Sequence, residues 1–437
     1  MKLSQFNSII PYNDNYALYN SYSNKVIIIE KELKDLLDAA RSENIEELIN
    51  IHPTFYNYLI ETEFVVSDSI NEVENVKIIS KKIDENKNAF FLTINPTMNC
   101  NFKCWYCYET HIKDSRFTSE MIIKINKFIS NTVSDSQIEQ FTLSFFGGEP
   151  LLFFKKDVIP VISHFTEICN KHNISNNISF TTNGFLINEE IINYLKELNT
   201  TCSFQITLDG FNEKHDLVRF VNNKRGSYNT IINNIKLLIN NCFFVRLRVN
   251  YTNENISDAY KIADEFNDTE SNLKESYLLF DYHRVWQDDK IDDINIQLDY
   301  NKKYISSKNI NILGNYSPDN VVSSCYADKR NSVVINYNGD IYKCTARDFT
   351  LANRAGYLSN KGELIWENNS LEKRMNSKFN NKPCLSCRLL PICNGGCTQH
   401  AIEHLNKDEY CIYFGDEAEK DKVIKSKVDD VLQYIEI

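Results

Sequence analysis

Nothing in this chain approaches the ~20 consecutive apolar residues that a membrane-spanning helix needs. Met1–Tyr12 also lacks a basic stretch followed by an apolar one. There is thus no sign of a secretion signal, and the expected compartment is the cytoplasm. Positive charge is in short supply: the formal net charge is −11, which argues against a general nucleic-acid binder. No internal repeat is present, and no low-complexity tract beyond a general richness in asparagine. What remains is an ordinary globular composition, 42% hydrophobic and 24% charged, in 437 residues that leave room for two or three domains.

Cysteine is abundant instead, with thirteen residues. In a reducing compartment, spaced cysteines bind metal or do chemistry more often than they form disulfides. Cys100, Cys104 and Cys107 form one tight group. Cys384, Cys387, Cys393, Cys397 and Cys411 form another, with Cys325 and Cys344 ahead of it. Cys169, Cys202 and Cys242 stand alone and read as small buried hydrophobes.

Three stretches differ in pattern. Residues 1–85 read as a small winged-helix-like domain. Strands are expected at Ala17–Asn20, Lys25–Glu30 and Phe64–Asp68, and helices at Glu32–Arg41, Ile45–Ile51 and Phe55–Glu61. Acidic residues outnumber basic ones there, so DNA binding is disfavoured, and an exposed strand edge could accept a peptide instead. Residues 86–300 alternate strands (Phe90–Ile94, Gln140–Phe146, Ile178–Thr182, Ser203–Leu208, Phe244–Tyr251) with helical runs. That order implies an α/β fold with a parallel βα sheet or barrel, whose site lies at the C-terminal strand ends. Residues 301–437 are turn-rich and cysteine-bearing, as suits a region organised by metal.

The spacing Cys100-x3-Cys104-x2-Cys107 places three thiolates on the loop after the first of these strands. Such a loop can hold three corners of a four-iron cluster and leave the fourth iron open. A zinc site completed by His111 is the alternative this segment leaves standing.

The triplet, with Tyr106 before its last cysteine, resembles the signature of the radical S-adenosylmethionine (SAM) superfamily. Gly147-Gly148-Glu149-Pro150 after the second strand resembles the "GGEP" motif of that family. Thr181-Thr182-Asn183-Gly184 ends the third strand; Thr207-Leu208-Asp209-Gly210, His215-Asp216 and Arg219 follow the fourth. The resemblance implies a partial (β/α)6 TIM-like barrel in which a [4Fe-4S] cluster and SAM generate a 5′-deoxyadenosyl radical. By the same resemblance Glu149 takes the methionine ammonium of SAM and Thr207 contacts SAM. Arg219 pairs with the SAM carboxylate, and Val249–Asn250 lie near the adenine. Tyr106, Gly147, Gly148, Thr182 and Asn183 complete the expected cofactor-binding set.

The seven cysteines Cys325, Cys344, Cys384, Cys387, Cys393, Cys397 and Cys411, with Asn338–Cys344 reading NGDIYKC, resemble the SPASM domain of peptide-modifying radical SAM enzymes. The resemblance implies two auxiliary clusters, and so three [4Fe-4S] clusters in all. The distal one falls on Cys384, Cys387, Cys393 and Cys411. The proximal one falls on Cys325, Cys344 and Cys397, with an open iron that suits a substrate thiolate.

The leading reading is a maturase of a ribosomally made precursor peptide, because residues 1–85 resemble a RiPP recognition element that binds leader peptides. A thioether cross-link (sactipeptide- or ranthipeptide-like) fits an open iron; carbon–carbon or other cross-links are the alternatives. A reductant such as flavodoxin or ferredoxin is implied as partner. The runner-up is an anaerobic sulfatase-maturing, formylglycine-generating enzyme. It is disfavoured because such enzymes lack an 85-residue leader domain and carry Asp where this chain has Thr345. A zinc-binding interaction protein would leave the SAM motifs unexplained. No catalytic base is legible, and Arg347 and Asp348 read as solvated loop charges.

Overall fold

Alternation of side chains decides the main sheet of this protein. The computed structural model describes the chain except positions 136, 223–224, 289–293, 314–321, 323, 405–408 and 434–437 and the side chain at 433. In Ala89–Asn95 (β1), Phe90, Leu92 and Ile94 face one way and are buried. The same period recurs in Gln140–Phe145 (β2), Ser175–Thr182 (β3), Thr201–Leu208 (β4), Phe244–Tyr251 (β5) and Leu278–Arg284 (β6). One face is therefore a continuous apolar surface, covered by helices that include Ser119–Val133, Ile159–Lys171, Glu189–Lys196 and Tyr228–Asn240. On it Phe180 stacks between Phe145 and Phe204, each pair of centroids 5.2 Å apart.

The six strands lie side by side in chain order, every neighbouring pair parallel. The fold class is thus the α/β one the sequence implies. Two further parallel strands flank them, Asn311–Leu313 (β7) beside β6 and Ser332–Asn336 (β8) beside β1. An antiparallel run, Asp340–Tyr342, Gly356–Leu358 and Leu364–Trp366, then extends the edge beyond β8. Two of these strands were hidden in the sequence for local reasons. Helix Ser271–Tyr277 runs into β6 without a turn residue between them, and β8 is a short, fully buried run inside turn-rich surroundings.

The chain forms two compact units. Lys87–Tyr316 and Asn331–Ser370 make the unit just described; Met1–Asn86, Ser317–Arg330 and Leu371–Ile437 make the other. The second unit contains an antiparallel sheet of Asn7–Tyr12, Asn15–Asn20 and Lys25–Ile29. Its first strand was not anticipated, since Pro11 is uncommon in a strand; here that strand is an edge, where a missing N–H is tolerated. Helices Lys31–Ser42 and Pro53–Glu61 cover one face, around Leu18, Ile29, Leu37, Leu48, Leu59 and Phe64. The expected strand at Phe64–Asp68 is reduced to Val65–Val66, paired with Lys2–Leu3. The other face, Ile10, Ala17 and Tyr19, packs on Leu389, Ile392, Ile424 and Val428. Buried Lys378 bridges Asp84 at 2.6 Å and Asp328 at 3.2 Å, joining all three segments of this unit. No helix among the described residues is long and apolar enough to cross a membrane.

Candidate functional site

The first cysteine group sits where β1 ends. The loop is closed by Ile112 N donating to Met98 O at 3.1 Å and by Met98 N donating to Ser115 Oγ at 2.8 Å. Gly147 and Gly148, at the end of β2, lie against this loop. Gly148 N donates to Thr97 O at 3.0 Å and Glu149 N to Asn99 O at 2.8 Å. A Cβ on Gly148 would stand 2.2 Å from Asn99 O, and one on Gly147 would stand 2.6 Å from Thr97 O at a φ of +96°. The glycines therefore serve a backbone-to-backbone approach between the strand end and the cysteine loop.

Burial pushes the Cys100 thiol up to about 12, that of Cys107 up to about 11, and that of Cys104 upward as well. Thiols so placed ionise when a metal supplies the charge. His111 Nε2 lies 3.6 Å from Cys107 Sγ. Three thiols carried on one loop, near enough to act on one another electrostatically, fit the cluster the sequence implies.

Glu149 is fully buried, and burial raises its carboxyl pKa. It accepts from Thr182 Oγ1 at 2.7 Å, Asn183 N at 2.8 Å and Leu151 N at 3.0 Å. Asn183 Nδ2 donates to Asn101 Oδ1 at 2.8 Å. Glu149, Thr182 and Asn183 thus tie the ends of β2 and β3 to the cysteine loop.

A second network lies beyond β4. Tyr106 Oη donates to Asp209 Oδ1 at 2.6 Å and accepts from Arg219 Nη2 at 2.7 Å and Asn250 Nδ2 at 3.0 Å. Arg219 Nε donates to Asp209 Oδ2. The Arg219 guanidinium is buried and engaged by protein groups on two sides. Thr207 ends β4 on the same face as Tyr106's partners, whereas the Val249 side chain is wholly buried in the helix-covered core. Asn250, not Val249, carries the side chain that joins this network.

The sequence reading missed several members. Asp348 is a docking point for the cysteine loop, accepting from Thr110 N at 2.9 Å and Thr110 Oγ1 at 2.5 Å. Gln287 Nε2 donates to Tyr106 O at 2.9 Å, and Tyr108 stacks on exposed Trp286. The motif R-L-R-V-N on β5 carried a legible signal: Arg246, Arg248 and Asn250 alternate with Leu247 and Val249 and so share the uncovered face.

In the other unit Cys384, Cys387, Cys393 and Cys411 line one cavity with Leu389, Ile412 and Lys420. Asn381 Nδ2 donates to Cys384 Sγ at 3.1 Å, and the N–H groups of Leu389 and Tyr413 donate to Cys387 and Cys411, each at 3.4 Å. Four sulfurs around one apolar hollow with N–H donors behind them fit an iron–sulfur cluster. Cys325 and Cys397 are exposed members of this unit, and Cys344 is a half-buried member of the other. Cys169 and Cys202 are core residues; Cys242 is exposed at a turn with φ +61°.

Comparison with known proteins gives the class. Residues 94–266 match the family model described as the Radical SAM superfamily. The chain contains a radical SAM domain, with the [4Fe-4S] cluster and SAM that this implies, and it is an enzyme. It is 28% identical over 345 residues to the cysteine-type anaerobic sulfatase-maturating enzyme of Clostridium novyi (strain NT), covering 69% of this chain and 86% of the relative. It is 22% identical over 449 residues to the radical SAM cyclopropyl synthase TigE of Paramaledivibacter caminithermalis, covering 90% and 89%. Streptococcus suis SuiB bound to precursor peptide SuiA shares the fold with a TM-score of 0.53 at 17% identity, over 93% of this chain and 97% of that one.

Proposed function

We propose that this enzyme is a radical SAM/SPASM peptide maturase that cross-links a ribosomally made precursor peptide. The observation that carries the reading is the second thiol site: Cys384, Cys387, Cys393 and Cys411 gathered around one cavity, far in sequence from the Cys100 loop. When bound, the cluster on Cys100, Cys104 and Cys107 together with SAM supplies the 5′-deoxyadenosyl radical that takes hydrogen from substrate. The chain's own part is to hold and shield. Gly147 and Gly148 press the loop onto the strand ends, Glu149 fixes Asn183 and Thr182, and Tyr106, Asp209, Arg219 and Asn250 form a rigid polar wall. A second auxiliary cluster on Cys325, Cys344 and Cys397 is proposed on their sequence pattern, and would bring the total to three.

The leader peptide is assigned to residues 1–85, by strand addition to the edge strand Lys25–Ile29, whose outer side pairs with no strand among the described residues and where Ile28 is exposed. The precursor-bound SuiB, alike in fold, supports a peptide substrate; the thioether product is read from an open proximal iron. A flavodoxin or ferredoxin would deliver the electron. The second reading, formylglycine formation, is favoured by the Clostridium novyi relative but finds Thr345 in place of the Asp expected after Cys344.

The test is anaerobic reconstitution followed by iron analysis and reaction with a precursor peptide encoded near this chain. About twelve irons, falling by about a third when Cys100, Cys104 and Cys107 become Ala, support three clusters. A peptide lighter by a pair of hydrogens, with a Cys sulfur newly bonded to a carbon of a second residue, supports the thioether. An aldehyde at Cys would establish formylglycine chemistry instead.

A further inference from the structure

On the uncovered face of the main sheet, Arg248 forms no ion pair with any described residue. Arg248 on β5 lies in register with Thr207 on β4 and with Asp281 on β6. Asp281 and Asp209 each already hold another cation. Buried Asp281 accepts from Arg246 Nε and Nη2, each at 2.6 Å, and from His283 Nε2 at 2.8 Å. Asp209 holds Arg219 and Tyr106. Arg248 itself donates from Nε to Asn250 Oδ1 at 2.9 Å, and no carboxylate of the described residues forms an ion pair with it.

This is a costly place for an unpaired cation. Arg248 is part-buried, and burial lowers its pKa even though Asp281 pulls the other way. The phenols of Tyr106 and Tyr108, on the cysteine loop, lie close enough to act on it electrostatically. Proteins keep an uncompensated charge at a site where an arriving ligand supplies the opposite one. A guanidinium held by Nε still presents its Nη donors, the geometry that grips a carboxylate through two hydrogen bonds. Arg219, the arginine that the sequence motif nominates for such a task, has spent its Nε and one Nη on Asp209 and Tyr106.

We propose that Arg248 is a carboxylate-binding residue of the reaction chamber, taking either the methionine carboxylate of SAM or a carboxylate borne by the peptide. The inference rests on the radical SAM reading of the site. Its position on the β5 wall, one residue pair from Asn250 and across from Thr207, puts the bound carboxylate beside the Cys104–Cys107 loop.

The experiment uses the cluster-reconstituted full chain as wild type, R248Q and R248K, each first checked for iron content and circular dichroism. Equilibrium dialysis measures SAM and decarboxylated SAM. Saturation-transfer NMR measures the acetylated amides Gly-Glu-Gly and Gly-Gln-Gly in the presence of SAM. If the carboxylate is that of SAM, R248Q weakens SAM roughly ten- to a hundredfold. R248K then recovers part of the loss, and decarboxylated SAM binds wild type and variant alike. If it is that of the peptide, SAM binding is unchanged and the preference of wild type for the Glu peptide vanishes in R248Q. Equal binding of SAM and of both peptides by wild type and R248Q overturns the proposal. A wild-type protein that holds iron yet binds no SAM would instead remove the reading beneath it.

Discussion

Asn381 points its amide N–H at the sulfur of Cys384, 3.1 Å away, while the same side chain donates to Tyr410 O at 2.6 Å. Hydrogen bonds to cluster sulfurs stabilise the more negative, reduced state and so raise the reduction potential. Lys420, lining the same cavity, adds a positive charge with the same sign of effect. Asn381→Ala and Lys420→Ala are each expected to lower the potential of the cluster proposed for this cavity, and the double variant to lower it further. An EPR-monitored redox titration of protein with full iron content decides this; potentials identical to wild type would refute it.

Gly148→Ala is expected to abolish SAM cleavage. The new Cβ meets the carbonyl of Asn99, backbone atoms that no rotamer change can move aside, so the cysteine loop must shift. Iron bound by the reconstituted variant should fall by about a third if the loop's cluster is the one lost. Retention of all the iron with normal SAM cleavage would contradict the packing argument.

His215 gives the fold a pH dependence. Its Nδ1 accepts from Asp209 N at 3.1 Å, leaving Nε2 to donate to Ser227 Oγ at 2.9 Å, so the ring is neutral. Burial holds its pKa well below the usual histidine range, with Arg219 acting the same way. An unfolded histidine titrates near ~6.5. This contribution to stability is therefore complete above about pH 6.5 and is lost as pH falls below it, by up to about 1.4 kcal/mol per pH unit. Urea unfolding of wild type should weaken between about pH 7.5 and about pH 5.5 by more than that of His215→Asn, in which this proton is absent. Parallel curves for the two proteins would be inconsistent with a buried neutral ring.

Lys378→Met strips the lysine from buried Asp84 and leaves buried Asp328 with Arg374, 3.9 Å away. A loss of about 3–5 kcal/mol is expected in denaturant unfolding. Adding Asp84→Asn to that variant should restore part of it, because the group left behind no longer carries charge. If the double variant is as weak as the single one, the ion pair is not the source of the effect.

Much of the architecture was readable because period-two alternation in Phe90–Ile94, Ser203–Leu208 and Phe244–Tyr251 admits one burial pattern only. The cysteine groups were readable because metal ligation depends on close spacing along the chain. What escaped had a tertiary cause. Asp348 looks like a loop charge until Thr110, far from it in sequence, is seen to donate to it. Arg219 looks available until Asp209 and Tyr106 are seen to hold it. Conversely Arg248 looks like an ordinary strand residue until both neighbouring carboxylates prove to be occupied.

The face of the N-terminal sheet formed by Ile10, Ala17 and Tyr19 is buried by Leu389, Ile392, Ile424 and Val428. The first of these partners, Leu389, lies 360 residues after Ile29, so the N-terminal strands are made long before it. The N-terminal strands wait for these partners with an apolar face bare. Chaperone dependence in the cell and a marked sensitivity to C-terminal truncation follow from that order of events. A protein lacking residues beyond Gly415 should lose its N-terminal protection against proteolysis before the parallel sheet loses its own.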